Sequence, residues 1–145
     1  MALAGVLLII AAIFDRLLKA LALAHQNELM PLLDGILYFQ PSVNPVGPLG
    51  LKIPDIFFFL IFILLALSLS CVIITERNTS IRAVCALALI GVLSNSADRY
   101  AHLFIVDVFA LGGLLFNLAD TYIIFSLLGY LFFYWQEKYR RKIIL

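Results

Sequence analysis

The feature that most constrains the fold is a long apolar run in the middle of the chain. Residues 56–74 read IFFFLIFILLALSLSCVII and contain no Asp, Glu, Lys, Arg or His. A helix of about 20 apolar residues is long enough to span the hydrocarbon core of a bilayer. Pro54, just before the run, suits the first turn of a helix, where its missing N–H is not needed. The sequence therefore predicts a transmembrane helix over about 54–75.

Three further apolar stretches are long enough, or nearly long enough, to cross a bilayer. They cover about 3–24, 81–97 and 118–135. The chain is 64% hydrophobic and 13% charged, whereas soluble domains are about half apolar and a quarter charged. We therefore predict an all-α membrane protein, in which residues 1–145 form a single integral membrane domain built as a four-transmembrane-helix bundle. A net charge of +1 argues against nucleic acid as a partner.

Lysine and arginine set the predicted orientation of the bundle. One end of the bundle carries six of them, in the 75–82 loop and the C-terminal tail: Arg77, Arg82, Lys138, Arg140, Arg141 and Lys142. The opposite end has only Lys52 and Arg99 outside the first helix. Cytoplasmic loops carry the excess of basic residues, so we expect both termini in the cytoplasm. The unusual polar residues of the chain then meet at the outer face.

The connection over about 25–53 is neither a span nor a plain linker. Its residues 36–39 are strand-like, and Pro41, Pro45 and Pro48 exclude a continuous helix. A connection of this length usually carries function. We predict an outer surface loop that contains a small β element and lies on the membrane.

Three aspartates lie in or beside the sequence that joins the third and fourth helices: Asp98, Asp107 and Asp120. Asn95 lies one helical turn before Asp98, and Asn117 one turn before Asp120. Charges at the hydrocarbon edge cost free energy, so carboxylates kept there indicate a site. Two carboxylates on neighbouring helices can share one proton, so that one activates a water and the other polarises a carbonyl. We expect Asp98 and Asp120 to form this pair, and Asp107 could equally be the second partner.

The same residues also have a structural interpretation. The Asn and Asp at the start of the fourth helix are suited to cap it, and Asp98 could pair with Arg99. Asp15 and Lys19 have the i,i+4 spacing of an ion pair. We interpret them as a structural clamp between the first helix and the outer loop.

The residues alone leave three classes of function open. No His, Cys or acidic residues stand at metal-ligand spacing, and no phosphate-binding loop is present, so we predict no metal and no cofactor. Besides an aspartic protease, the chain could be a proton-coupled transporter subunit that uses the three aspartates as a relay. It could also be a non-catalytic membrane protein that binds lipopeptides.

Taken in order, five motifs resemble those of signal peptidase II, the bacterial lipoprotein signal peptidase. They are Asp15 to Lys19 (similar to the family's DxxxK), Tyr38-Phe39 with Asn44 to Gly47 (its aromatic and NxGxAF loop), Ser94 to Arg99 (its GNxxDR), Ile105 to Asp107 (its VVDF) and Phe116 to Thr121 (its FNxADS). The chain departs from the family pattern at Ser94, which replaces Gly, and at Val108, which replaces Phe. In the outer loop, Val46, Pro48 and Leu49 replace Gly, Ala and Phe.

The resemblance implies an intramembrane aspartyl endopeptidase at the outer face of the bacterial cytoplasmic membrane. Such an enzyme removes signal peptides from diacylglyceryl-modified prolipoproteins by cleaving before the lipidated cysteine. The resemblance makes Asp98 and Asp120 the catalytic pair. It also implies that four residues orient the substrate or the aspartates: Asn44, Asn95, Arg99 and Asn117. We expect three structural polar residues, Asp15, Lys19 and Asp107, and a monomer whose partners are lipidated substrates and membrane lipid.

Overall fold

The computed structural model describes residues 2–26, 28–46 and 52–143. Its helices are α1 (Ala2–Ala24), α2 (Asp55–Thr75), α3 (Thr79–His102) and α4 (Leu118–Ile143). Its strands are β1 (Met30–Leu33), β2 (Leu37–Asn44), β3 (Ile105–Leu111) and β4 (Leu114–Phe116). The prediction of a mostly helical protein with a small β element is confirmed.

Three of the described helices are long and apolar enough to cross a membrane: α2, α3 and the Leu118–Tyr139 part of α4. α1 has sufficient length, with 23 residues, but it contains three charged residues, Asp15, Arg16 and Lys19. By length and composition the structure therefore has three candidate spans, where the sequence predicts four.

α3 is the central helix and packs against α1, α2 and α4. Asn78 caps its start by accepting hydrogen bonds from the N–H groups of Ser80 and Ile81. α3 continues to His102, so the predicted end at 97 was wrong. Asp98 and Arg99 lie inside the helix because their charges have partners on neighbouring elements. α4 likewise continues past the predicted end at 135 through a polar segment.

The four strands form one antiparallel sheet in the order β1-β2-β3-β4. β2 and β3 form its centre, although α2 and α3 separate them in the chain. The 25–53 segment therefore contributes only half of the sheet. The other half comes from β3 and β4, neither of which was predicted. Gly112 and Gly113 form the turn between these strands, and both have positive φ, which glycine adopts without strain.

A bulge in β2 sets the position of its C-terminal half against β3. Phe39 pairs with Phe109, but the next pair is Ser42 with Asp107, so β2 has one more residue than β3 between these pairs. Pro41 lies in the bulge, where its missing N–H costs no ladder hydrogen bond. On the same strands Phe39, Val106 and Val108 pack against Ala22. The sheet is thereby attached to the end of α1.

Gly91 allows α3 and α4 to lie in close contact. A Cβ atom at this position would be 2.5 Å from the carbonyl oxygen of Ala119 and 2.9 Å from Cγ1 of Ile123. Asn95 is one turn further along the same face of α3, and Asp120 directly follows Ala119. The glycine therefore sets the separation at which these two polar side chains meet.

Candidate active site

Two of the three charged residues of α1, Asp15 and Lys19, are buried in the protein. Asp15 is fully buried and accepts hydrogen bonds from the N–H of Ala119, at 2.9 Å, and from the hydroxyl of Ser94. Lys19 lies 3.5 Å from the Asp15 carboxylate, so the predicted i,i+4 ion pair is confirmed. Its predicted attachment to the outer loop does not occur among the described contacts. The pair ties α1 to α3 and α4 instead, because the free N–H groups at the start of α4 attract a carboxylate.

Asp98 is held by two cations. Its Oδ2 lies 2.7 Å from the Lys19 ammonium, and its Oδ1 lies 2.9 Å from the Arg16 guanidinium. The N–H of Val106 donates a longer hydrogen bond of 3.4 Å to Oδ2. Asp98 is only 4% exposed. Both oxygens of this carboxylate are therefore neutralised, and the predicted pairing with Arg99 does not occur among the described contacts.

Asn95 joins the lysine to the aspartate of α4. Its Oδ1 accepts a hydrogen bond of 2.8 Å from Lys19, and its Nδ2 donates one of 2.8 Å to Oδ1 of Asp120. A buried network of polar side chains stabilises the fold when its donors and acceptors are all hydrogen-bonded. A continuous chain of contacts therefore runs from Asp98 through Lys19 and Asn95 to Asp120.

Asn117 connects Asp120 to the sheet. Its Oδ1 accepts from the N–H of Asp120 at 2.9 Å, and Oδ2 of Asp120 accepts from the N–H of Asn117 at 3.2 Å. This reciprocal pair caps α4, as the structural interpretation expects. The other end of the amide, Nδ2, donates to the carbonyl of Val106 at 3.1 Å and to Oδ1 of Asp107 at 3.2 Å. One buried side chain therefore contacts both aspartates.

Asp107 is the least compensated carboxylate of the cluster. It is 2% exposed, and its Oδ2 has no hydrogen-bond partner among the described residues. Burial, together with the charge of Asp120, raises the pKa of Asp107 to about 6 from an ordinary value of 3.8, while the nearby amides of Asn44 and Asn117 and the Lys19 charge act in the opposite direction. Asp107 therefore exchanges its proton near neutral pH, next to a carboxylate that is partly accessible.

Arg99 and Asn44 lie at a neighbouring site. Arg99 contacts Asp55 at 2.8 Å, donates to the carbonyl of Pro45 at 3.0 Å and covers the ring of Phe58 at 4.5 Å. It joins the end of β2 to the start of α2 and makes no described contact with Asp98, Asp107 or Asp120. Asn44 accepts from the N–H of Val46 at 3.2 Å. The rest of the predicted loop motif, Gly47, Pro48 and Leu49, lies outside the described residues.

Three residues of the cluster were missed in the sequence. Arg16 and Ser94 contact each other and the aspartates Asp15 and Asp98, and Asp55 is the partner of Arg99. Arg16 carried a signal, since a third charge in an apolar helix needs a partner. Within the described ranges no group of three or more His, Cys, Asp or Glu side chains could hold a metal ion.

Solved structures of bacterial membrane enzymes are similar in fold. One, determined by the in meso method at 2.3 Å resolution, has a TM-score of 0.87 over 95% of this chain and 90% of that chain, at 19% identity. Another, determined by the same method at 1.9 Å, has a TM-score of 0.82 over 91% of this chain and 92% of that chain, also at 19% identity. No curated protein matches this chain in sequence.

The fold and the cluster together define a membrane protein with a buried aspartate site at one end of its helices. The chain also matches the family model described as signal peptidase (SPase) II over residues 7–136. It belongs to that family, whose members are aspartic-type lipoprotein signal peptidases of bacterial membranes. The chain is therefore an enzyme, a membrane protease, as its motifs indicate. Family membership decides against the transporter and the non-catalytic binding protein.

Proposed function

We propose that this enzyme removes signal peptides from diacylglyceryl-modified prolipoproteins by cleaving before the lipidated cysteine, with Asp107 and Asp120 as its catalytic pair. The observation that carries the proposal is the link through Asn117, whose Nδ2 donates to Oδ1 of Asp107 and whose backbone N–H donates to Oδ2 of Asp120. Oδ2 of Asp107 is buried and has no hydrogen-bond partner among the described residues. The charge of Asp120 acts on Asp107, and two neighbouring carboxylates can share one proton, so that one activates a water while the other polarises the scissile carbonyl.

The proposed pair contains Asp107 in place of Asp98. Both oxygens of Asp98 are engaged, Oδ1 by Arg16 at 2.9 Å and Oδ2 by Lys19 at 2.7 Å, so neither is free to hold the attacking water. Asp107 has no cation at salt-bridge distance among the described residues, and its pKa of about 6 suits a group that takes and gives protons. Because the two sites are coupled, the protons belong to the pair and not to one residue.

The reaction then divides between the two carboxyl groups. The ionised member takes a proton from a water, which attacks the scissile carbonyl, and the protonated member donates to the carbonyl oxygen. The tetrahedral intermediate collapses as the amine leaves with a proton from the pair. Asp120 is partly exposed and Asp107 is buried, which supports Asp120 as the group that meets the water first. Exclusion of bulk water strengthens both hydrogen bonds in the transition state.

The substrate-orienting roles rest on position at the outer end of the sheet. Asn44 ends β2 and is partly exposed, and an amide can donate and accept to an extended peptide at once. Arg99 is assigned a positioning role, because its contacts hold the Pro45 carbonyl next to Asn44. Asn95 orients Asp120 through the hydrogen bond between their side chains.

α1 is proposed as the fourth transmembrane helix. Its charges are turned inward, with Asp15 and Lys19 buried, while the side chains that face outward are large and apolar: Leu3, Val6, Leu7, Ile10, Ile13, Leu17 and Leu21. A bilayer tolerates such charges when they pair inside the protein. With four spans the basic loop and tail lie in the cytoplasm and the aspartates lie at the outer face of the cytoplasmic membrane. A monomer contains all of the proposed residues.

Cleavage of a diacylglyceryl-cysteine signal peptide tests the proposal. The purified enzyme in lipid is expected to release the peptide before the lipidated cysteine, as mass spectrometry of the products would report. Asp107→Asn and Asp120→Asn should each abolish release while remaining folded. A peptide with the same sequence and an unmodified cysteine is the matched substrate control. Full activity of Asp107→Asn, or equal cleavage of both peptides, would contradict the proposal.

A further inference from the structure

We propose that Arg16 and Ser94 form a positioning pair, outside the motifs of the family, which holds Asp98 and directs Lys19 toward the catalytic pair. This inference rests on the proposed function. Ser94 stands where the family pattern has glycine, and Arg16 occupies an unspecified position of the DxxxK motif. The two residues are 78 positions apart, yet their side chains are in direct contact.

The contacts of Arg16 all lead to the site. Its guanidinium lies 2.9 Å from Oδ1 of Asp98, and it donates to the carbonyl oxygen of Ser94 at 3.0 Å and to the Ser94 hydroxyl. The side chain is 43% exposed, while the Asp98 that it contacts is buried. The guanidinium therefore contacts both a carboxylate of the site and the backbone of α3.

Ser94 is the junction of the pair. Its hydroxyl contacts Asp15, Arg16 and Lys19, the last at 3.2 Å. A glycine at this position could offer only its backbone. The hydroxyl therefore fixes both cations of α1 relative to α3. The departure from the family pattern at 94 is matched by the arginine at 16.

Arg16 and Ser94 affect Asp120 through Lys19. Lys19 divides its hydrogen bonds between Asp98, at 2.7 Å, and Asn95, at 2.8 Å. With Arg16 present, Asp98 has a second cation and does not depend on Lys19 alone. Without it, the ammonium is drawn toward Asp98, and Asn95 loses part of the contact that orients it toward Asp120.

The negative charges of Asp15 and Asp98 are balanced only when Arg16 is counted. The titratable groups that face it from the packed elements are Asp15, Arg16, Lys19, Asp55, Asp98, Arg99, Asp107, Asp120 and the neutral Tyr122. Arg99 and Asp55 neutralise each other. Two cations of α1 balance Asp15 and Asp98, which leaves one negative charge on the catalytic pair when it shares a proton. Loss of the Arg16 charge makes the site more negative, so the pair holds its proton to higher pH.

The test compares Arg16→Gln with Arg16→Lys in cleavage of the diacylglyceryl-cysteine peptide. We expect R16Q to lower kcat about tenfold with little change in KM, and to move the alkaline limb of the kcat/KM profile up by about half a pH unit. R16K should restore the limb to its original position and recover part of kcat. R77Q, the same change at an exposed position in the connection between α2 and α3, is the control and should match the unchanged enzyme.

Ser94→Gly separates position from charge. It removes the hydroxyl and keeps both cations, so kcat should fall while the pH limb stays in place. If R16Q does not fold, R16K and S94G carry the test, and an unchanged kcat in both overturns the inference. An unchanged kcat and pH profile in folded R16Q also overturns it. Absence of cleavage by the unchanged enzyme would instead refute the proposed function, so the two failures are distinguishable.

Discussion

Asp107→Asn is expected to abolish turnover and, at pH 8, to make the fold more stable. The carboxyl group is buried, and its pKa is raised from 3.8 to about 6. The unfolded chain releases this proton first, so the native state loses stability as pH rises between the two values. The difference is 6 − 3.8 = 2.2 units, which at about 1.4 kcal/mol per unit corresponds to about 3 kcal/mol.

Asparagine keeps the shape of the side chain and is neutral at every pH. The gain of Asp107→Asn should therefore be about 3 kcal/mol above pH 6 and should vanish below about pH 4. Asp98→Asn is the matched comparison, because it places the same substitution in a carboxylate bound by Lys19 and Arg16. Removing one partner of a buried ion pair costs about 3–5 kcal/mol, so this variant should be less stable than the unchanged enzyme.

Thermal unfolding in detergent at pH 8 and pH 4, with peptide cleavage measured in parallel, provides the assay. For a chain of this size 1 kcal/mol moves Tm by roughly 2–4 °C, so Asp107→Asn should melt about 6–12 °C above the unchanged enzyme at pH 8. We expect the Tm at pH 8 to be highest for Asp107→Asn, lower for the unchanged enzyme and lowest for Asp98→Asn. A lower Tm for Asp107→Asn at pH 8, or cleavage at the full rate, would refute the reasoning.

Three further outcomes are expected. The kcat/KM of the unchanged enzyme should fall as pH rises through about 6, because the pair loses the proton that it shares; a flat profile between pH 5 and 8 would contradict this. Gly91→Ala should lower both Tm and kcat, since its Cβ meets the Ala119 carbonyl, whereas Gly5→Ala, which points into open space, should change neither. Asn44→Ala should lower kcat/KM about tenfold through loss of a substrate hydrogen bond; equal kcat/KM would show that Asn44 is structural.

The helices could be predicted because membrane spans are determined by local composition. The apolar run of α2 has no alternative in a bilayer, and α3 and α4 were identified with errors only at their ends. α1 illustrates the limit. Its charges make it a poor span by composition, and only the contacts of Asp15, Arg16 and Lys19 with α3 and α4 show where those charges go. Such contacts join residues about 75 to 104 positions apart, and no local pattern specifies them.

Half of the sheet and the difference between the aspartates also could not be predicted from local sequence patterns. Residues 105–111 read IVDVFAL, an apolar run interrupted by Asp107. This run forms β3, which pairs with β2. The matching Asn-x-x-Asp spacings made Asp98 and Asp120 look equivalent. The structure separates them by environment: the sheet carries the uncompensated Asp107 to the start of α4, and α1 supplies two cations to Asp98.

The structural interpretation of Asn117 and Asp120, as a helix cap, is compatible with the proposed catalytic one. The same amide oxygen that caps α4 fixes the rotamer from which Nδ2 reaches Asp107. The cap places Asp120 at the helix start, where partial positive charge favours a carboxylate and where Asn95 meets its second oxygen. A helix terminus next to a sheet edge therefore holds two carboxylates near each other without a bridging cation. In the proposed mechanism, a proton shared by the pair reduces the repulsion between these carboxylates, and the reaction uses that proton.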